Sequence, residues 1–199
     1  MRFINPPFMW FLDEDPHLSA RYLIDKDLKR NINVSSNVLI NVYLYINGIR
    51  SDRMLQYYES DQIRYYDFME KVFPNWPLKR KPKVFRQYHP GFKFSRKCLD
   101  NFNFIKSHFN AGLDEYENRF NKSSILNELS EWIDEHPPKL PLINLSKITL
   151  PLKVLPLQYR SINHIDGARK FYKRLIVDPL VSYHNIEIPE WFFEKNSLH

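Results

Sequence analysis

Val34, Val38, Val42 and Ile46 fall at every fourth position along one stretch of the chain. On a helix this spacing draws a single apolar stripe, which must be buried against a neighbour. The same kind of pattern returns wherever the chain is free of proline. Residues 61–73 carry Ile63, Tyr66, Phe68, Met69, Val72 and Phe73 near one side, and Pro74 and Pro77 stop the run. Residues 92–120 carry Leu99, Phe102, Ile105 and Phe109, with Gly112 as a possible break. Ser123 or Ser124 can cap a helix ending at Glu135, with Ile125, Leu129, Trp132 and Ile133 facing inward, before His136-Pro137-Pro138 ends it. A last helix is expected over residues 165–177.

The start of the first helix is explicit. Asp15 supplies a capping oxygen, and Pro16 fits the first helical position because its missing N–H costs nothing there. That helix is expected to run to about Lys29. Asn31–Asn33 read as an interruption, and Asn47-Gly48 as the end of the second helix. Only 4 Gly accompany 14 Pro, so few strained turns and several stiff connections are expected. The expected fold class is all-α, a compact multi-helix bundle of about six helices. It spans residues 1–199 as one domain, with a basic loop at 74–90. Residues 137–163 are rich in proline and read as a long extended arm with room for one short strand. The tail Ile188-Pro189-Glu190-Trp191-Phe192-Phe193 is expected to dock by its rings.

A chain of 199 residues with 43% hydrophobic content can fill a core, and 12 Tyr, 15 Phe and 4 Trp supply rings that both pack and stack. A formal charge of +6 suits a polyanionic partner. Cys98 stands alone, which excludes an internal disulfide or a cysteine metal site and suggests a reducing compartment. The opening residues are too short and too proline-broken for a signal peptide, and no apolar run suits a membrane span. The three Asn-x-Ser sequons then read as chance matches.

Residues 11–39 are dense in polar groups beside core positions. Asp13, Glu14 and Asp15 are the sort of carboxylates a hard cation takes, but no second cluster stands at ligand spacing, so neither metal nor cofactor is expected. Asp25 and Lys26 lie one turn beyond Arg21 and Tyr22. In a cleft, Asp25 could activate water or stabilise a developing cation, with Lys26 setting its charge. His89, restrained by Pro90, could donate a proton or meet a phosphate. Each has a plain structural alternative: a solvated helix face for Asp25 and Lys26, and a cap or core-edge role for His89. Glu115 and Arg119 are four apart and can pair on one helix face, with a role orienting Asp25 or His89 also open.

Lys79, Arg80, Lys81, Lys83 and Arg86 form the densest positive run, interleaved with Trp76, Phe85 and Tyr88. Arg169, Lys170, Lys173 and Arg174 form a second patch along one helical side. Cations with rings are what single strands or distorted duplexes require, while charge runs are also ordinary soluble surface.

Read in order, these residues form a pattern. Leu12-Asp13-Glu14-Asp15-Pro16 precedes Ala20, Tyr22 and Asp25-Lys26. His89-Pro90 precedes an aromatic, and Asn101 precedes Phe102 and Phe104. Glu115-Tyr116 leads to Arg119 and Lys122, and Pro189-Glu190-Trp191-Phe192 is the last part of the pattern. The pattern resembles an uncharacterised family of small proteins found mainly in bacteriophages and large DNA viruses, and covers most of the chain apart from residues 47–84. The layout is also similar to pyrimidine-dimer DNA glycosylases, small helical enzymes that use a carboxylate and an N-terminal amine. The matched positions carry over as Asp13, Asp15, Pro16, Ala20, Tyr22, Asp25, Lys26, His89, Pro90, Asn101, Glu115, Tyr116, Arg119 and Lys122. Where the family has His, Glu and Gln along the first helices, this chain has Asp27, Val34 and Asn37. It has Tyr88 in place of Asn before His89, and Phe94 in place of Trp after it.

The resemblance implies a viral intracellular protein of the host cytoplasm that binds DNA or nucleotides and belongs to a base-processing family, catalytically degenerate where those polar groups are replaced. Asp25, Lys26 and His89 would then be its catalytic groups. Lys79, Arg80, Lys81, Lys83, Arg86, Tyr88, Arg169 and Lys173 would bind nucleic acid, and Tyr22, Tyr88 and Phe94 would wall a pocket for a flipped base. The alternative is a non-catalytic accessory protein that binds a host or viral protein. A virion component would show a large self-associating apolar face instead.

Overall fold

The structure is a computed structural model that describes residues 10–50, 52–79, 89–142, 155, 159, 163–175, 183 and 187–193. In chain order the helices are α1 (Pro16–Arg21), α2 (Asp25–Ile46), α3 (Asp52–Glu59), α4 (Gln62–Val72), α5 (Pro90–Ser95), α6 (Leu99–Phe120), α7 (Asn127–Glu135) and α8 (His164–Leu175). A 3-10 turn covers Glu190–Phe192. Among the described residues there is no strand. The all-helical expectation therefore holds. No described helix is long and apolar enough to cross a membrane.

The two 22-residue helices α2 and α6, each about 33 Å long at 1.5 Å per residue, are the axis of the fold. They pack against one another, α1 and α5 lie against α6, and α5 also touches α2. Leu28, Leu39 and Leu44 of α2 and Phe102, Ile105 and Phe109 of α6 are fully buried between them. Gly112 does not break α6. A Cβ placed there would stand 3.0 Å from Ile32 Cγ1, so the missing side chain is what allows α2 to approach. Gly112→Val is accordingly expected to destabilise the protein by about 1–3 kcal/mol through overpacking, read as a lower midpoint in urea.

A second knot closes the other side of α2. Tyr43, Phe73 and Trp132 pack mutually at centroid distances of 5.1–6.1 Å, with Trp76 against Phe73 and Trp132. Their polar ends are satisfied by chain termini of helices: Trp132 Nε1 donates to the Pro74 carbonyl (2.6 Å), and Tyr43 Oη donates to that of His136 (2.7 Å). Pro74 and His136 lie just past α4 and α7, so the aromatic knot is tied to the chain where those two helices end.

Several boundaries differ from expectation. The first helix stops at Arg21 rather than Lys29, and the chain restarts at Asp25. Asn31–Asn33 do not interrupt α2. Asn31 Oδ1 accepts the Trp10 N–H (2.8 Å), and Asn33 donates back to the Lys29 carbonyl (2.9 Å). The long run divides at Arg96–Cys98, short of Gly112. Ile125 is 61% exposed instead of inward, and α3 was not marked by its apolar spacing. Residues 80–88 of the basic loop and, in the arm, residues 143–154, 156–158 and 160–162 lie outside the described residues. The start of the arm docks through the Leu99 N–H, which donates to the Pro141 carbonyl (3.1 Å).

Candidate functional site

Asp25 is the first residue of α2, and its carboxylate is buried against Arg119. Arg119 comes from the last turn of α6 and is 0% exposed. All five of its N–H donors are used. Nε donates to Glu115 Oε1 (2.7 Å), and Nη1 to Asp25 Oδ1 (3.1 Å) and the Leu23 carbonyl (2.6 Å). Nη2 donates to the carbonyls of Ala20 (3.3 Å) and Arg21 (2.9 Å). A guanidinium has no more donors than this. At the end of α1 and just past it, the Arg21 and Leu23 carbonyls take Arg119 N–H groups, and the Ala20 carbonyl accepts both Arg119 and the Leu23 N–H (3.1 Å). Asp25 in turn sits where a helix N-terminus favours a negative charge.

The α2 start has no side-chain cap of its own. The Tyr172 hydroxyl takes the Ile24 N–H (2.9 Å) and bonds Asp27, whose pKa is raised by burial against that hydrogen bond. Burial also raises Tyr172 and Tyr183, and Tyr183 Oη donates to the Tyr22 carbonyl (2.9 Å).

Two carboxylates of the acidic triplet are used in folding contacts, while Glu14 is exposed. Asp15 caps α1, accepting from His17 and Leu18 N–H at 2.7 and 3.0 Å, as its sequence position suggests. Asp13 pairs with Arg169 Nη2 (2.5 Å), whose Nε donates to the Leu12 carbonyl (2.6 Å). The Arg169 guanidinium then lies 5.4 Å from the Tyr22 ring and 5.6 Å from that of Trp191. Tyr22 and Trp191 meet edge to face at 5.7 Å beside a cleft of about 350 Å³, which Arg21 and Glu187 also line. Of the tail's rings, Trp191 packs on Tyr22, while Phe193 is 68% exposed. Residues 12–25, 115–119 and 189–191, distant in sequence, are brought together at this end of α2. Lys26 is exposed beside them.

His89 is elsewhere. It caps α5, its Nδ1 accepting the Gly91 N–H (3.2 Å), and it is buried. Asn101 closes the other end of that short helix by donating to the Phe94 carbonyl (2.9 Å). Phe92 of α5 packs on Tyr45 (5.7 Å) and Phe94 on Phe104 (5.9 Å). The span from Asp25 to Tyr45 is about 30 Å along α2 at 1.5 Å per residue, so His89 is placed towards the opposite end of α2 from Asp25. Glu115 and Tyr22 join Asp25, while His89 does not. Phe94 is a core ring against Phe104 instead of a pocket wall.

Of the expected basic surface, Lys79 is exposed, while Arg80, Lys81, Lys83, Arg86 and Tyr88 lie outside the described residues. In the second patch Arg169 is turned onto Asp13, Arg174 donates to Tyr159 Oη (2.9 Å), Lys173 is half-buried and Lys170 is exposed. A cationic cluster missed in the sequence stands where the chain re-enters at α5. Arg96 lies 4.4 Å and Arg50 5.0 Å from the centroid of the half-exposed Tyr45 ring. Lys93 and Lys97 are exposed on either side of Arg96. These cations come from two segments of the chain, so no charge run marks them. Nearby, Asn47, Arg64, Asp67 and Lys71 help line a cavity of about 250 Å³.

Comparison with known protein families, curated proteins and solved structures found no match to this chain.

Proposed function

We propose that the chain is a nucleic-acid-binding accessory protein of the viral kind its motif pattern resembles, with the surface around Tyr45 as its phosphate-contacting face. The observation that supports this reading is the Tyr45 ring with two guanidiniums over it, Arg50 at 5.0 Å and Arg96 at 4.4 Å, beside α5, whose Phe92 packs on Tyr45. Arginine both stacks on rings and reaches phosphate oxygens with a planar fork. Asp25 enters this reading as a structural anion, since its carboxylate is held by a guanidinium that is itself saturated. The base-processing chemistry suggested by the resemblance is therefore not part of the proposal.

The test is fluorescence anisotropy with unrelated oligonucleotides across a salt series. Affinity should fall linearly with log salt, because each neutralised phosphate releases counterion. Replacing Arg50 and Arg96 together with Gln should weaken binding about equally for every sequence and reduce the salt slope by roughly 1–2 units. Lys79→Ala, Arg80→Ala and Lys81→Ala combined should reduce it further. Absence of binding at any salt would remove this reading and leave a protein partner as the better one.

A further inference from the structure

A cavity of about 350 Å³ opens near the start of α2, where that helix meets the end of α6 and the approach to α7. Its volume falls within the range of small-molecule sites, about 300–1,000 Å³. Ile32 and Leu126, both buried, give it an apolar floor, and Ile125, 61% exposed, stands at its rim. Lys29 and Asn33, one turn apart on α2, line it together with Tyr116 of α6 and Ser124.

The cavity offers donors and no acid. Lys29 Nζ lies 4.2 Å from the Phe120 ring centroid and 6.0 Å from that of Tyr116, and among the described residues no carboxylate pairs with it. The rings attract the ammonium without neutralising it. Ser124 Oγ accepts the Leu126 N–H (3.3 Å), which leaves the hydroxyl hydrogen to donate elsewhere. Asn33 spends one amide hydrogen on the Lys29 carbonyl (2.9 Å) and keeps a second. None of the residues lining this cavity is acidic, whereas Glu187 and Glu190 line the cleft beside Trp191, and Asp67 the cavity beside Asn47. An ammonium and two neutral donors above apolar walls complement a negative group that carries an apolar body.

We infer that this cavity binds a small organic anion, its charged group on Lys29 and its apolar body against Ile32, Ile125 and Leu126. A bare inorganic anion would leave the apolar walls in water, and a neutral apolar molecule would leave the ammonium unpaired. The site lies about 24 Å along α2 from Tyr45 at 1.5 Å per residue, so it is separate from the phosphate-contacting face and does not rest on the nucleic-acid reading.

The experiment titrates the full chain with octanoate, octanol, octylammonium and acetate at neutral pH and follows the backbone amide signals by NMR. Octanoate should bind in the millimolar range or below and move the signals of Lys29, Asn33 and residues 124–126. It should bind about 3- to 10-fold more tightly than octanol, the worth of one hydrogen bond, and acetate should bind more weakly than either. Lys29→Met keeps the apolar stem without the charge and should bring octanoate down to the level of octanol. Ile125→Glu sets a carboxylate at the rim and should reverse the preference from octanoate to octylammonium. Lys29 and Ile125 are both exposed, so neither change opens the core, and circular dichroism checks that each variant is folded. Octanol binding as tightly as octanoate to the native protein would overturn the inference, a comparison that stands even where a variant misfolds. So would a folded Lys29→Met variant with native affinity for octanoate, signal changes confined to other parts of the fold, or no binding of millimolar octanoate.

Discussion

Arg119→Met is expected to cost about 3–5 kcal/mol, the range for breaking a buried ion pair by removing one partner. The substitution roughly keeps the volume and removes every donor. Asp25 is left as a buried anion, and the carbonyls of Ala20, Arg21 and Leu23 lose the guanidinium that takes them. An unsatisfied buried acceptor costs about 1–3 kcal/mol by itself, so the carbonyls alone could bring the loss to this level. Against a total stability of about 5–15 kcal/mol, the change removes a large share of what holds the fold. At about 2–4 °C per kcal/mol for a chain of this length, the melting temperature should fall by roughly 6–20 °C. Arg119→Lys should also be costly, because three donors on one nitrogen cannot reach acceptors spread over two elements. Asp25→Asn, which keeps an acceptor oxygen, should be milder than Asp25→Ala. Urea denaturation of the four variants decides the matter. A loss under 1 kcal/mol for Arg119→Met would mean that the network does not hold α1 and α2 together.

Local rules reached one side of that network and not the other. The four-residue interval between Glu115 and Arg119 announces their pairing, and the Asp15-Pro16 pair announces the cap that the structure contains. The partners that matter most to Arg119 lie 94 to 99 residues away, and no local spacing encodes them. The misplaced helix boundary falls in the same network. Residues 16–29 have a continuous helical pattern, and α1 ends at Arg21, where a distant arginine bonds the Ala20 and Arg21 carbonyls. Asn31 looked like a break because Asn is a weak helix former, but its side chain is used to hold Trp10 N–H. The α6 face was legible because Leu99, Phe102, Ile105 and Phe109 follow one period. The Tyr45 cluster was not, since Arg50 and Arg96 come from segments that only tertiary packing brings to the same ring. Several polar residues of the sequence pattern are helix-end devices: Asp15 and His89 start helices, and Arg119 and Asn101 bond the carbonyls that end them. A motif of caps is visible in sequence as a set of polar residues, but whether those residues serve chemistry or architecture is decided by what their atoms touch.

His108 should give the protein a distinct sensitivity to acid. It is buried in α6, with its ring 4.7 Å from Phe11 and 4.6 Å from Phe104, and Nε2 has no hydrogen-bond partner among the described residues. Desolvation pushes its pKa down from 6.5 to about 4, opposed weakly by the Asp15 carboxylate. A histidine lowered in this way is neutral in the folded protein while the unfolded chain takes up a proton. Its contribution is therefore complete above pH 6.5 and is lost as pH falls through about 4. At 1.36 kcal/mol per pKa unit the loss relative to neutral pH should be about 2 kcal/mol at pH 5 and about 3 kcal/mol at pH 4. His108→Phe places an apolar ring between two others and removes the titration. Asp27 works in the opposite sense, because burial raises its pKa and protonation favours the folded state, but it is present in both proteins and cancels in the comparison. The expected result is that the native protein loses about 2 kcal/mol more than the variant between pH 7.5 and pH 5, measured by urea unfolding at each pH. Parallel pH profiles would show that His108 is hydrated or charged in the folded state.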